Sequence, residues 1–314
     1  MSHFESARIL YFFQKLKKTA SFNDEKMIRR DNGKLMDDDG FVLVESRKHR
    51  RRKTRRRGHE RKRKIVKSHK GNRTSNYDDV SIDGDEEETK RYVRTATGQL
   101  KSSGFYDDVI SSIREAVAGR TVQEIVCYGI GRVSAYKNSR VQFAMATLLK
   151  ANLRPVKGAS FFDPFTSELD TNIMTSAGFK NIDQNEEGKR PAKGVTIYFM
   201  PHCDLWLYSN VLWANWSEAK LRNTIVVGNS FKAYNTNSAF TGWKIDPDEN
   251  CVFRSIDLIQ ETNILVPRSA SSSIQNAFNN TCVIHFPNLS CDRASSILSR
   301  KPKEFFYHDS SKAS

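Results

Sequence analysis

The chain has 314 residues and a formal net charge of +15, and 38% of its residues are hydrophobic, enough to bury a core within one large or two modest domains. The charge is local: Arg47 to Arg73 holds 16 Lys or Arg against Glu60 alone, which leaves 35 basic and 35 acidic residues elsewhere. The basic balance therefore describes a tail and carries no information on what a folded domain binds. Five cysteines, at 127, 203, 251, 282 and 291, form no C-x-x-C pair, and an odd count fits free thiols in a reducing compartment, the cytosol or nucleus. Ile9 to Phe13 is too short for a signal-peptide core and no segment nears the length of a membrane helix, so neither secretion nor a membrane is expected. Met1 to Ala20 sets Arg8, Lys15, Lys17 and Lys18 against Glu5 but lacks the clean amphipathic stripe of a mitochondrial presequence.

Residues 1 to 98 carry only scattered apolar side chains, with one short β-like run at Phe41 to Val44, and read as a disordered tail. Within it the basic tract 47–73 is followed by an acidic block, 78–88, of seven carboxylates that can pair loosely with the tract. Order is expected from Gly104: Val109, Ile110, Ile113, Ala116 and Val117 recur at helical spacing, and Gly119 supplies a left-handed stop. Strand and helix patterns then alternate: strand Val122 to Tyr128, helix Ser134 to Asn152, strand Val156 to Phe162, helix Thr166 to Ala177, and a short strand near Lys180 to Asp183. They continue with strand Val195 to Met200, helix Leu205 to Leu221, strand Thr224 to Val227, helix Ser272 to Phe278 and strand Thr281 to Phe286. Apolar strands alternating with helices predict a Rossmann-like three-layer α/β domain over residues 99–308, its central sheet mostly parallel, with 309–314 a disordered C-terminus.

In such a sheet, ligands sit outside the carboxyl ends of the strands. Gly129-Ile130-Gly131 with Ser134 reads as G-x-G-x-x-S, a turn whose backbone N–H groups can approach a phosphate at a helix N-terminus. Asp163 ends the next strand, where an acid takes ribose hydroxyls, although it lies 29 residues beyond Ser134. The alternative is a tight turn with Asp163 capping the following helix. In Pro201-His202-Cys203-Asp204, Asp204 is placed to cap the next helix, while His202 either bonds backbone in a buried turn or contacts a ligand. A Cys203 nucleophile is disfavoured by the neighbouring Asp204, and zinc by the opposite facing of Cys282 and His285 three residues apart on a strand. Trp206, Asn210, Trp213 and Ser217 fall on one helical stripe that either stacks a flat ligand, such as a purine or porphyrin, or packs internally. Asn229 and Ser230 follow the next strand and are expected to face the crevice that His202 faces.

Several of these runs together resemble the sensitivity-to-red-light-reduced family over roughly residues 120 to 286. They are Cys127-Tyr128-Gly129-Ile130-Gly131, Phe162-Asp163-Pro164, Tyr198-Phe199-Met200-Pro201-His202-Cys203, Leu207-Tyr208-Ser209-Asn210 with Asn215-Trp216, Gly228-Asn229-Ser230-Phe231, and Ala277-Phe278-Asn279-Asn280-Thr281. Where the family usually has two adjacent asparagines after the tyrosine, this chain has Ser209-Asn210. The resemblance implies regulation: relatives are linked to light signalling and circadian-clock input in plants, microtubule stability in fungi, and haem biosynthesis and clock-gene expression in animals. It brings no catalytic residues.

The sequence thus supports a non-enzymatic regulator that binds a protein partner or small ligand, nucleotide-like or haem, at the strand ends. The alternative is a methyltransferase-like or nucleotide-dependent enzyme using the Gly129 to Ser134 loop and Asp163. Arg50, Arg51, Arg52, Arg55, Arg56 and Arg57 suit an import receptor, hence a nuclear and cytoplasmic protein, or non-specific contact with nucleic-acid phosphates, since the tract has no aromatic residue for base stacking.

Overall fold

The computed structural model describes residues 85–241 and 246–306, together with the backbone of a short antiparallel hairpin pairing Arg29–Asp31 with Lys34–Met36. The basic tract, the Phe41 to Val44 run, the start of the acidic block and residues 309–314 lie outside the described residues.

Order begins earlier than the apolar spacing suggests. Helix α1 (Glu86–Ser102) starts inside the acidic block, where Asp85 caps it by accepting the Glu88 N–H at 2.6 Å and Glu86, Glu87 and Glu88 fill the first turn. Carboxylates there are stabilised by the exposed amides of the helix start, so these acids build a helix end. The helix escapes apolar-periodicity reading because it buries only Thr89, Ala96 and Leu100, yet Ala96 and Leu100 join the main core. Helix α2 (Phe105–Val117) follows and ends with Ala118 and Gly119 both left-handed.

The remaining elements are β1 (Val122–Tyr128), α3 (Lys137–Leu153), β2 (Ala159–Phe162), α4 (Glu168–Ser176), β3 (Phe179–Asn181), β4 (Val195–Met200), α5 (Leu205–Ala214), α6 (Glu218–Leu221), β5 (Thr224–Asn229), α7 (Phe231–Thr241), α8 (Cys251–Arg254), β6 (Gln260–Asn263), α9 (Ser272–Ala277), β7 (Thr281–His285) and α10 (Asp292–Leu298). The expected helix Leu205 to Leu221 is two helices, because Asn215 turns its side chain back to bond the chain around it. Strand β6 and helices α7, α8 and α10 have no counterpart in the sequence pattern; β6 reads Gln-Glu-Thr-Asn and lies at the sheet edge, where polar residues suffice.

The seven strands form one sheet in the order β3-β2-β1-β4-β5-β7-β6. The first five in that order are parallel, and β7 runs antiparallel between β5 and β6. Alternation along the strands splits the core into two layers. Ile125, Cys127, Ile197, Phe199 and Val227 pack against α1 to α4 and α9. Val126, Tyr128, Tyr198, Met200 and Val226 pack against α5, α7, α8 and α10. Helices on both faces of a mostly parallel sheet make the three-layer α/β architecture expected. Because β1, β2, β4 and β5 run parallel, the turns that follow them lie at one edge of the sheet.

Because α1 supplies Leu100 to the core, a chain beginning at Gly104 should be less stable than one beginning at Asp85 by about 3 kcal/mol in denaturant titration. Equal midpoints would show that α1 is not part of the domain.

Candidate functional site at the strand ends

The loop after β1 turns on two left-handed glycines, Gly129 at φ 71° and Gly131 at φ 77°. Two of its backbone donors, those of Gly131 and Ser134, are taken by carboxylates of the protein itself. The Gly131 N–H donates to Asp163 Oδ2 at 2.7 Å, the Phe165 N–H to Asp163 Oδ1 at 2.8 Å, and the Ser134 N–H to Asp170 Oδ1 at 2.7 Å. The buried guanidinium of Arg140 donates to Val133 O at 2.9 Å and to Ser134 O, and the Tyr92 ring of α1 covers it at 4.7 Å. Asp163 is thus the tie between two loops and not the cap of α4; that cap is Ser167, in a reciprocal box with Asp170. Burial raises the Asp163 carboxyl above the ordinary range, with the Phe165 and Gly131 amides pulling the other way. A nucleotide-type ligand does not fit this arrangement. The N–H that would meet its phosphate and the carboxylate that would meet its ribose are bonded to each other, and a Cβ at Gly129 would lie 2.6 Å from Cys203 Sγ.

The turn after β4 joins the same edge. Buried Cys203 donates its thiol to Tyr128 O at 3.4 Å; desolvation, Asp204 and Asp163 hold the thiol far above its usual pKa, so it stays protonated. Asp204 caps α5 as expected, accepting from the Trp206 and Leu207 amides. His202 stands in the left-handed region at φ 56°, uncommon for a residue other than glycine. Its N–H donates to Asn229 Oδ1 at 3.0 Å; the residue is exposed, and its imidazole lies against the Ala277 and Asn276 backbone. Partial desolvation lowers the imidazole pKa more than the nearby Ala277 and Asn276 carbonyls raise it.

Asn229 is the hub of the junction. Its Nδ2 donates to Tyr234 Oη at 2.9 Å and Cys203 O at 3.4 Å, and its backbone N–H donates to Tyr208 Oη at 2.9 Å. Tyr208 in turn donates to Met200 O, and Tyr234 to Cys203 O at 2.9 Å. Gly228 lets the tyrosine approach: a Cβ there would lie 2.6 Å from Tyr208 Oη and 2.9 Å from Met200 O. Gly131, Asp163, His202 and Asn229 therefore converge on one edge, linked through Cys203.

Two other candidates point elsewhere. Ser230 donates to Glu261 Oε1 at 2.6 Å and accepts the Ala233 N–H at 2.9 Å, so with Glu261, which also accepts from the Phe231 and Lys232 amides, it closes the start of α7. Asn210 is fully buried and donates to Glu187 O at 2.9 Å. It belongs to a clamp on the loop before β4, where Asn215 accepts the Ala192 N–H at 2.7 Å and donates to Arg190 O at 3.1 Å. Tyr198 donates to Arg190 O at 2.7 Å, Arg190 pairs with Glu186 and Glu124 at 2.8 and 2.7 Å, and Tyr128 donates to Glu186 Oε2 at 2.9 Å. On the Trp206 stripe, Asn210 thus turns inward, and the two tryptophans meet the C-terminal segment of the chain.

The sequence profile of the SRR1 domain matches residues 98–285, more than half of the chain. The chain belongs to the SRR1 domain family. Its relatives include Protein SENSITIVITY TO RED LIGHT REDUCED 1 of Arabidopsis thaliana, 32% identical over 174 residues, which covers 52% of this chain and 63% of the plant protein. An SRR1-like protein of Mus musculus is 38% identical over 109 residues, 34% of this chain and 44% of its own. One of Drosophila melanogaster is 25% identical over 136 residues, 43% of this chain and 49% of its own. The chain thus spans less than two thirds of the length of each of these relatives. No solved structure matches it. In this SRR1 domain the runs that carry the family resemblance have a physical content. Pro201-His202-Cys203, Tyr208 and Gly228-Asn229 knit the strand ends, while Tyr198, Asn210 and Asn215 hold the 186–192 loop on the sheet. The roles of Tyr208, Tyr234 and Glu261 escaped sequence reading, since a hydroxyl inside an apolar helix and an acid on a polar edge strand look the same as surface residues until their partners are known.

Replacing Tyr208 by Phe leaves the Met200 carbonyl and the Asn229 amide without their partner and should cost about 2–4 kcal/mol in chemical denaturation. A loss below about 1 kcal/mol would mean that the junction does not hold the strand ends.

Proposed function

We propose that this SRR1 domain is a non-enzymatic regulatory module that binds a protein partner at its strand-end surface, with the His202 imidazole as the displayed contact. The observation that carries this reading is His202 itself. A non-glycine residue at φ 56° is strained, and its neighbours hold it there through the Asn229 bond while the residue stays exposed at the surface. Strain kept at an exposed turn points to a displayed side chain, whereas glycine would serve a purely structural turn. The pairing of Asp163 with the glycine loop and the protonated state of Cys203 favour a surface over a catalytic pocket.

The plant relative is named for sensitivity to red light. We place this chain in the same kind of regulation, light-linked or clock-linked, with clock-gene expression and haem synthesis as its finer outputs. The basic tract would supply nuclear import and so divide the protein between nucleus and cytoplasm. Changing Arg50, Arg51, Arg52, Arg55, Arg56 and Arg57 to Ala should move it out of the nucleus in fluorescence imaging, and an unchanged distribution would refute the import role.

A second reading has one observation in its favour. The parallel strands and the glycine turn after β1 make a doubly wound sheet of the kind that holds nucleotide-like cofactors at its strand ends. That is fold-level analogy, and the closed glycine loop argues against it. A thermal-shift titration with S-adenosylmethionine decides: a ligand at 100 times its dissociation constant adds about 2.7 kcal/mol of stability. No shift is expected.

His202→Gly tests the main reading, because it keeps the left-handed turn and removes the imidazole. Folding stability should hold or rise by up to about 1 kcal/mol, while partner capture from cell extract is lost. Retained capture would place the contact elsewhere. The pH dependence has a definite sign. The imidazole pKa is lowered in the fold, so between that value and 6.5 the unfolded chain binds more protons, and stability falls as pH drops through this window. The loss should be smaller in His202→Gly than in the natural sequence.

A further inference from the structure

Helix α5 presents Trp206 and Trp213 on its outer side, and both rings meet the C-terminal segment Arg300–Phe306, which runs along the helix without regular structure of its own. Phe305 stacks on Trp206 with ring centroids 4.1 Å apart and planes at 14°. Trp213 Nε1–H donates to Pro302 O at 3.2 Å, and the Lys301 ammonium lies 3.3 Å from the centre of the Trp213 ring. Charge sets the direction of the segment. At one end Asp248 pairs with Arg300 at 3.0 Å and Glu249 with Lys303 at 3.1 Å; at the other, Lys189 pairs with Glu304 at 3.0 Å and lies 3.9 Å from the centre of the Phe306 ring.

We propose that this face of α5 is a recognition groove for an extended segment of a partner protein with the pattern basic residue, proline, any residue, acid, aromatic, and that residues 300–306 are its built-in competitor. The groove is separate from the strand-end surface, and the proposal does not rest on the function assigned to that surface. Three observations support it. The groove residues Lys189, Trp206, Trp213, Asp248 and Glu249 all lie within the 98–285 stretch matched by the family, whereas the segment covering them lies outside it.

The cover is also shallow. Pro302 is buried, but Lys301, Lys303, Glu304 and Phe306 are exposed, and the Arg300 and Lys303 ion pairs sit where solvent leaves such pairs little net value. The entropy of ordering seven residues opposes these contacts, so the tethered segment holds its place weakly. Third, two of the contacts read backbone: Trp213 bonds the Pro302 carbonyl, and Asp248 O accepts the Lys303 N–H at 3.3 Å. Bonds of this kind recognise an extended peptide of any origin, and the ring stack and terminal charges then select its sequence.

The test uses a peptide with the sequence of residues 300–306 as probe and tryptophan fluorescence as readout. A chain ending at Ser299 should bind it saturably, Trp206→Ala in that chain should weaken binding at least tenfold, and the full chain should bind at least tenfold more weakly than the shortened one. Lys189→Glu should weaken binding of the natural peptide and be rescued by a peptide carrying Lys in place of Glu304. Absence of binding to the folded shortened chain, indifference to Trp206→Ala, or equal binding by the full chain would each overturn the proposal. If the shortened chain does not fold, Phe305→Ala in the full chain reads the same competition. A gain in peptide binding over the natural sequence supports the groove, and no gain refutes it.

Discussion

Strands buried on both faces end in carbonyls and amides that water does not reach, and each must find a partner within the protein. Here side chains from neighbouring turns supply them. Tyr208 serves Met200 and Asn229, Asn229 serves His202 and Cys203, Cys203 serves Tyr128, and Asp163 serves Gly131. The partners come from the ends of four strands, β1, β2, β4 and β5, so these bonds tie neighbouring strand ends to one another. Removing one group leaves a buried polar atom unsatisfied, which costs more than the bond itself contributes.

This constraint separates a Rossmann-like framework from its usual ligand chemistry. A glycine turn followed by a helix offers backbone N–H groups to an anion, and a carboxylate at the next strand end offers itself to hydroxyls. In this chain the two offers meet each other at 2.7 Å. Cys203 occupies the space beside Gly129, and Glu261 holds the amides at the start of α7 in the manner of a bound anion. At the surface of this edge stands His202, an exposed residue with its backbone fixed. This closed arrangement is what the proposed recognition of a partner at the edge rests on.

The sheet was legible in the sequence because buried parallel strands are near-continuous apolar runs, and β1 and β4 fall within the bounds that the pattern assigns them. The convergence of Gly131, Asp163, His202 and Asn229 was legible for a topological reason, since parallel strands send their exits to one edge. What those residues do there was not, because a glycine turn beside an acid reads alike whether the acid binds a ribose or the turn. Residues with two plausible partners are undetermined by local pattern, and Ser230 and Asn210 found theirs in Glu261 and the Glu187 carbonyl. Elements held by few apolar contacts were missed for the same reason. Helix α1 is mostly polar, and β6 is a polar edge.

The strand-end edge and the α5 groove share one helix, so the question is whether a ligand at one bears on the other. Coupling requires an element with two arrangements that both sites bias. The first turn of α5 is fixed by Asp204 bonded to two of its amides, and the second by Tyr208, whose hydroxyl joins β4 to β5. Trp206 lies between these anchors and turns to the other side, where the C-terminal segment covers it. Displacing that segment changes contacts of the outer rings without loosening either anchor. On the two proposals the surfaces are independent, both carried by one anchored helix, and a partner that engaged both would gain from their proximity and not from any change in shape.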